Sequence, residues 1–175
     1  LSGGYSLGMA LDGDADRVLF VDPRGRVIDG DIILWVLGRW LLSEGKLGNG
    51  VVATVMSNKA LEEKLSQEGI TLRRCPVGDR YVLDAMRLSG SNLGGEQSGH
   101  IIAYDFFPTG DGLGSGLLFR SACARLGEDT DTLVDRFERY PQVLKNFHAR
   151  DKDAFLTHSE VREAISKASL DLGDL

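Results

Sequence analysis

From Val51 to Leu126 the chain alternates short apolar runs with helix-like periodicity, and no other feature constrains its fold as strongly. Val51 to Met56 is strand-like, Lys59 to Gln67 is helical with Leu61 and Leu65 on one face, and Thr71 to Val77 is extended. Asp79 to Leu88 has helical spacing in Tyr81, Val82, Ala85 and Met86. Ile101 to Tyr104 then reads as a strand, and Leu113 to Leu126 as a third helix. Strands alternating with helices predict an α/β fold, a sheet sandwiched between helices.

The flanks follow other patterns. Leu7 to Leu11 and Val18 to Val21 are strand-like and enclose an acidic loop, and Asp22-Pro23-Arg24-Gly25 has the composition of a turn. Ile32 to Leu42 is apolar nearly all round, so it predicts a helix buried on more than one side, with Trp35 and Trp40 in the core. After Gly127 come a short charged helix from Thr132 to Arg139, an extended Gln142 to His148 and a polar linker from Ala149 to Asp153. Thr157-His158-Ser159-Glu160 has the pattern of a capping box before an amphipathic helix carrying Val161, Ala164, Ile165 and Ala168. The chain opens at Leu1 in the approach to a strand, with Met9 its first methionine, and so reads as a fragment.

The 175 residues are 42% hydrophobic and 26% charged, an ordinary globular composition. A net charge of −6 with no Lys/Arg cluster argues against a nucleic-acid or membrane-surface partner. Cys75 and Cys123 give no disulfide framework and read as core residues of a protein in a reducing compartment. With no leader-like segment and no apolar run long enough to span a bilayer, a cytoplasmic location is expected.

Asp12-Gly13-Asp14-Ala15-Asp16-Arg17 sets three carboxylates at alternate positions and closes them with an arginine. Hard cations take oxygen ligands, so this reads as a divalent metal site. Arg17 adds a planar fork suited to a phosphate. The plain alternative is a solvated acidic turn. An EF-hand is excluded, because Arg17 and Pro23 stand where that loop needs Gly and Glu.

Three further segments carry polar groups in suggestive places. Gly94-Gly95-Glu96-Gln97-Ser98-Gly99-His100 offers an acid, an amide, a hydroxyl and an imidazole that match sugar hydroxyls, or is a hairpin turn with incidental polar groups. Pro76-Val77-Gly78-Asp79-Arg80 leads into a helix, either as an anion site or with Asp79 as a plain N-cap. Ser57-Asn58 permits the same two readings. The glycine-rich run Thr109 to Gly116 lacks the Lys-Ser/Thr of a P-loop and starts a helix, while His148 and His158 read as surface residues.

DGDADR, Met56-Ser57-Asn58, PVGDR and GGEQSGH, in this order, resemble the α-D-phosphohexomutase superfamily, and within it the bacterial phosphoglucosamine mutases. The resemblance runs from about Gly8 to His148. It implies a mixed sheet between helices (the family's domain 3) over 23–140, the end of domain 2 with the metal loop over 1–22, and a linker and the start of domain 4 over 141–175. It implies Mg²⁺ held by Asp12, Asp14 and Asp16, Arg17 on the phosphoryl group, Glu96 and Ser98 on the sugar with His100 nearby, and Asp79 and Arg80 facing the substrate. The implied reaction interconverts glucosamine 6-phosphate and glucosamine 1-phosphate through a bisphosphate, with a phosphoserine as carrier, in an enzyme that can be a homodimer. The family's serine loop and its distal phosphate-binding loop are not in this sequence, so the 175 residues alone are expected to be inactive.

Three other readings compete. One is a phosphoglucomutase or phosphomannomutase of the same superfamily. Another is a haloacid-dehalogenase-like phosphatase with Asp12 as nucleophile and Asp14 as acid/base, in which Asp16 stands where Thr or Val belongs. The third is a non-catalytic module that binds sugar phosphate or metal.

Overall fold

The computed structural model describes residues 4–145, 148 and 150–172. They fall into two units, one ending at Tyr140 and one beginning at Pro141.

The first unit opens with β1 (Gly8–Leu11), β2 (Val18–Val21) and β3 (Val27–Ile28), an antiparallel sheet in which Gly8 faces Val21 and Leu11 faces Val18. The Asp22 turn is built as its composition predicts, its carboxylate accepting from the Arg24 and Arg26 amides at 2.9 and 2.8 Å. Next comes α1 (Gly30–Ser43), buried almost throughout and capped by Asp29, whose side chain accepts from the Asp31 and Ile32 amides. Trp35 and Trp40 lie in the core, as their setting predicts.

Then follow β4 (Val51–Thr54), α2 (Lys59–Gln67), β5 (Leu72–Cys75), α3 (Asp79–Ser89), β6 (Leu93–Gly95), β7 (Ile101–Ala103), α4 (Gly112–Leu126) and α5 (Thr130–Arg136). The second sheet has the order β5-β4-β6-β7, with β4 parallel to β5 and β6, and β7 antiparallel. It is the mixed sheet expected. Successive side chains of a strand point to opposite faces. Val51 and Ala53 of β4 accordingly join the main core with α1, α2 and α4, while Val52 joins Cys75, Ile102 and the Val82 and Met86 face of α3. Helices thus cover both faces, and β4, buried at every position, is apolar throughout apart from Thr54. Cys75 and Cys123 are both buried, and burial pushes the Cys123 thiol up to about 11, so neither is a ready nucleophile.

Several element boundaries differ from the sequence reading, each for a local reason. β6 is hard to see because two of its three residues are glycine, and packing requires one of them: a Cβ on Gly94 would sit 2.6 Å from Met86 Sδ. α5 starts at Thr130 and ends at Arg136, not over Thr132 to Arg139. Residues 137–140 leave the helix as a strap because Arg139 pairs with Asp29 at 2.6 Å and the Tyr140 backbone bonds to the Asn58 side chain.

In the second unit α6 (Lys152–Thr157) occupies part of the expected linker, and α7 (Ser159–Leu172) follows. Thr157 is not the cap of α7. Its hydroxyl donates to Asp153 and Ala154 carbonyls inside α6, and Asp151 caps α6 instead. Of the expected extended segment, 141–145 has no regular structure, and Asn146 and Phe147 lie outside the described residues, as does Ala149 of the linker. His148 and His158 are exposed.

Candidate active site

The acidic loop joins β1 to β2. It turns through Ala15, whose φ of 59° makes it the one non-glycine residue with positive φ among those described. A left-handed alanine costs about 1 kcal/mol, and such outliers concentrate at functional loops. The turn is held from outside, since the Gly112 amide at the start of α4 donates to the Ala15 carbonyl at 2.9 Å. Asp12, Asp14 and Asp16 each present a carboxylate oxygen within 4.8 Å of the other two. This hard, all-oxygen set converges on one point and fits a divalent cation such as Mg²⁺.

Arg17 lies against the same carboxylates. Its Nε is 3.0 Å from Asp12 Oδ2 and 3.4 Å from Asp16 Oδ1, with its side chain half-exposed. His100 Nδ1 is 3.1 Å from Asp16 Oδ2. Partial burial works against charge on Asp16, but His100 and Arg17 outweigh it and hold its carboxyl below the usual range.

Backbone contacts fuse the acidic loop to the Glu96–His100 loop. The Val18 amide donates to the Gly99 carbonyl at 3.1 Å, and Arg17 and His100 form an isolated antiparallel bridge. Gly99 is required twice over: its φ is +96°, and a Cβ there would lie 2.2 Å from the Val18 carbonyl oxygen. His100 is itself buried, and a Cβ on Gly110 would overlap its ring at 2.2 Å. Its ring supports Asp16 and borders the hollow that holds Asp79 and Arg80, not the cleft lined by Glu96 and Ser98.

That cleft, of about 370 Å³, is lined by Asp29, Thr54, Met56, Val77, Glu96, Gln97 and Ser98. Glu96 Oε1 accepts from the Gly78 amide at 3.0 Å, tying the PVGDR segment to it, and the Ser98 hydroxyl lies 3.5 Å from Glu96 Oε2. Ser98 also borders a hollow of about 230 Å³ shared with Asp12 and Arg17. The predicted metal and sugar residues therefore adjoin. Asp79 and Arg80 lie off that cleft, on a second hollow with Arg87, Thr109 and His100, so that His100 links them to Asp16, and the Arg80 side chain is 87% exposed. Nor is Asp79 the N-cap of α3. Gly78 holds that position with φ 129°, and Asp79 is the first helical residue.

Sequence reasoning missed the support beneath the cleft. Gly30 at the start of α1 donates to the Gln97 carbonyl at 3.0 Å, and a Cβ on it would lie 1.8 Å from the Glu96 carbonyl oxygen. Gly30→Ala must therefore displace either the helix or the loop. A loss of about 3 kcal/mol is expected, measurable by urea denaturation. Beside it, fully buried Asp31 accepts from the Asn58 amide at 2.9 Å and from Gln97 Nε2 at 3.2 Å, both through Oδ2. Burial pushes the Asp31 carboxyl up to about 6, against the Asn58 hydrogen bond, with Asp29 adding to the rise and the Ser57 hydroxyl and Arg139 opposing it. The Asp-Gly-Asp spelling at 29–31, directly ahead of the apolar helix, is the signal that could have found it.

These features define an α/β/α domain with an acidic hairpin loop set against a polar cleft beside its mixed sheet. Residues 29–140 match the family model for phosphoglucomutase/phosphomannomutase, alpha/beta/alpha domain III, and the chain belongs to that family. This membership replaces the haloacid-dehalogenase-like reading. A phosphoglucosamine mutase of Deinococcus radiodurans is 47% identical over 97% of this chain and 37% of its own length. One of a Jannaschia species is 52% identical over 93% and 37%. The chain thus spans under two-fifths of the length of these relatives. The Aspergillus fumigatus N-acetylphosphoglucosamine mutase, solved in complex with GlcNAc-6P and magnesium, shares the fold with a TM-score of 0.69 at 22% identity, over 86% of this chain and 36% of that one.

Proposed function

We propose that this chain is the central part of a phosphoglucosamine mutase, which interconverts glucosamine 6-phosphate and glucosamine 1-phosphate. The observation that carries the reading is the fusion of the acidic loop to the Glu96–Ser98 loop through Val18–Gly99 and Arg17–His100. It sets a carboxylate triad and a phosphate-matching guanidinium beside a cleft of sugar size. Identities of 47 and 52% to phosphoglucosamine mutases support glucosamine over glucose or mannose. In this reading 1–22 ends domain 2, 23–140 is domain 3 and 141–175 begins domain 4 of a cytoplasmic enzyme that can be a homodimer. Among the described residues no helix is long and apolar enough to cross a membrane.

Asp12, Asp14 and Asp16 hold Mg²⁺, which when bound withdraws charge from a phosphoryl group in transfer. Arg17 offers its Nη donors to the same phosphoryl oxygens while its Nε stays on Asp12. His100 keeps Asp16 ionised and oriented. Glu96, anchored by the Gly78 amide, and Ser98 accept and donate to sugar hydroxyls, gripping the ring and leaving either phosphorylated end free to face the acidic loop. Asp79 and Arg80, on the hollow they share with His100, face the substrate. The phosphoryl-carrying serine comes from outside these 175 residues.

The test is an assay of the whole protein that carries this chain, with Mg²⁺ and a bisphosphate primer. Conversion of glucosamine 6-phosphate faster than glucose or mannose 6-phosphate is expected. A preference for either neutral hexose would overturn the glucosamine assignment, and no conversion of any of the three would overturn the mutase reading. The isolated 175-residue chain is expected to convert none.

A further inference from the structure

We propose that Asp31 is a positioning residue that holds the Glu96–Ser98 loop, the start of α2 and the 137–140 strap to one buried point. The inference rests on the reading of Glu96 and Ser98 as sugar contacts. It goes beyond that reading in assigning a site role to a side chain the cleft does not expose.

The geometry is convergent. Asp31 Oδ2 accepts from Gln97 Nε2 in the loop and from the Asn58 amide at the start of α2. Asn58 in turn clasps the strap, its Nδ2 donating to the Tyr140 carbonyl at 2.9 Å and its Oδ1 accepting from the Tyr140 amide at 3.0 Å. Arg139 of the strap closes the circuit on Asp29, the cap of the helix that carries Asp31. One carboxylate oxygen therefore stands between the loop and the place where the first unit ends.

The chemistry explains why an acid sits there. Asp31 Oδ1 is buried without a hydrogen bond of ordinary geometry among the described residues, and the Ser57 hydroxyl beside the carboxylate gives its charge only partial support. A buried charge in that state costs stability, but hydrogen bonds to an ionised acceptor are about twice as strong as neutral ones. The groups facing Asp31 are few. Asp29 on α1 and Arg139 on the strap carry charge; Ser57 and Asn58 at the start of α2 and Gln97 on the loop carry none; Glu96 is turned to the Gly78 amide. Protonation thus weakens the two Oδ2 contacts without any other carboxylate taking them over.

Hydrogen exchange of the whole protein without substrate tests this, and its outcome does not depend on the mutase assay. Asp31→Asn is expected to speed exchange at the Asn58, Gly99 and Tyr140 amides about three- to tenfold at pH 7.5, while core amides slow or stay unchanged. The wild type is expected to show the same local loosening on going from pH 7.5 to 5, after correction for intrinsic rates. Gln97→Ala is expected to loosen Gly99 and leave Asn58 and Tyr140 as they were. A purely structural Asp31 would move local and core protection in the same direction. That result, wild-type exchange in Asp31→Asn, or an unmoved Gly99 in Gln97→Ala overturns the proposal.

Discussion

Asp14→Ala in the whole protein is expected to lower kcat/KM for phosphosugar interconversion by about a thousandfold or more, with little change in stability. Asp14 is exposed, unlike Asp16, which is wired to His100 and Arg17. Substitutions at exposed positions outside networks usually change stability by no more than about 0.5 kcal/mol. Its removal also relieves repulsion among three carboxylates, so in EDTA the variant melts at or slightly above the wild-type temperature. What it loses is one of the negative ligands to a cation that stabilises developing charge, a contribution worth several kcal/mol. Steady-state rates over a Mg²⁺ titration check this. Activity within threefold of wild type at saturating Mg²⁺ would remove Asp14 from the metal site.

His100 and Gly110 show how the site could be read from sequence and where reading stopped. The acidic loop and the Glu96–His100 loop were legible because functional side chains cluster along the chain in each. Their fusion was not, because it runs through main-chain groups, the Val18 amide and the Gly99 carbonyl, which any sequence possesses. His100 was read with the sugar contacts because it stands beside them in sequence, but a turn between Ser98 and His100 sends its ring down onto Asp16. Gly110 belongs by composition to a glycine-rich helix start, and its missing Cβ makes room for the His100 ring ten residues earlier, a packing need that leaves no local pattern.

The fold divides in the same way. α1, α2, α3 and α4 were predicted to within a few residues because periodicity and caps are local signals. β6 was missed because glycine has no strand propensity, and its place in the sheet comes from β4 and β7 on either side. The last turn expected of α5 was lost to Asp29 and Asn58, 110 and 82 residues away from their partners Arg139 and Tyr140. Contacts at such separations leave no periodic mark.

Asp31→Asn is expected to raise stability at pH 7.5 by roughly 2–3 kcal/mol, with the gain vanishing near pH 4. The sign follows from the direction of the shift. Burial lifts the folded-state value to about 6 from 3.8, so the native protein holds the proton more tightly than the unfolded chain. Ionised Asp31 therefore destabilises the fold fully above pH 6. That penalty falls away as pH drops from 6 towards 3.8, below which both states are protonated. Asparagine keeps an acceptor for the Asn58 amide and Gln97 Nε2 while removing the charge, so it resembles the protonated acid at every pH. Urea denaturation at pH 4, 6 and 7.5 checks the curve, and a variant less stable than wild type at pH 7.5 would mean that Arg139 and the two donors outweigh desolvation. If the gain is found together with the loosened amides at Gly99 and Tyr140, the charge lowers the stability of the whole domain while tightening the loop that brings Glu96 and Ser98 to the cleft. A residue placed only for stability would do neither.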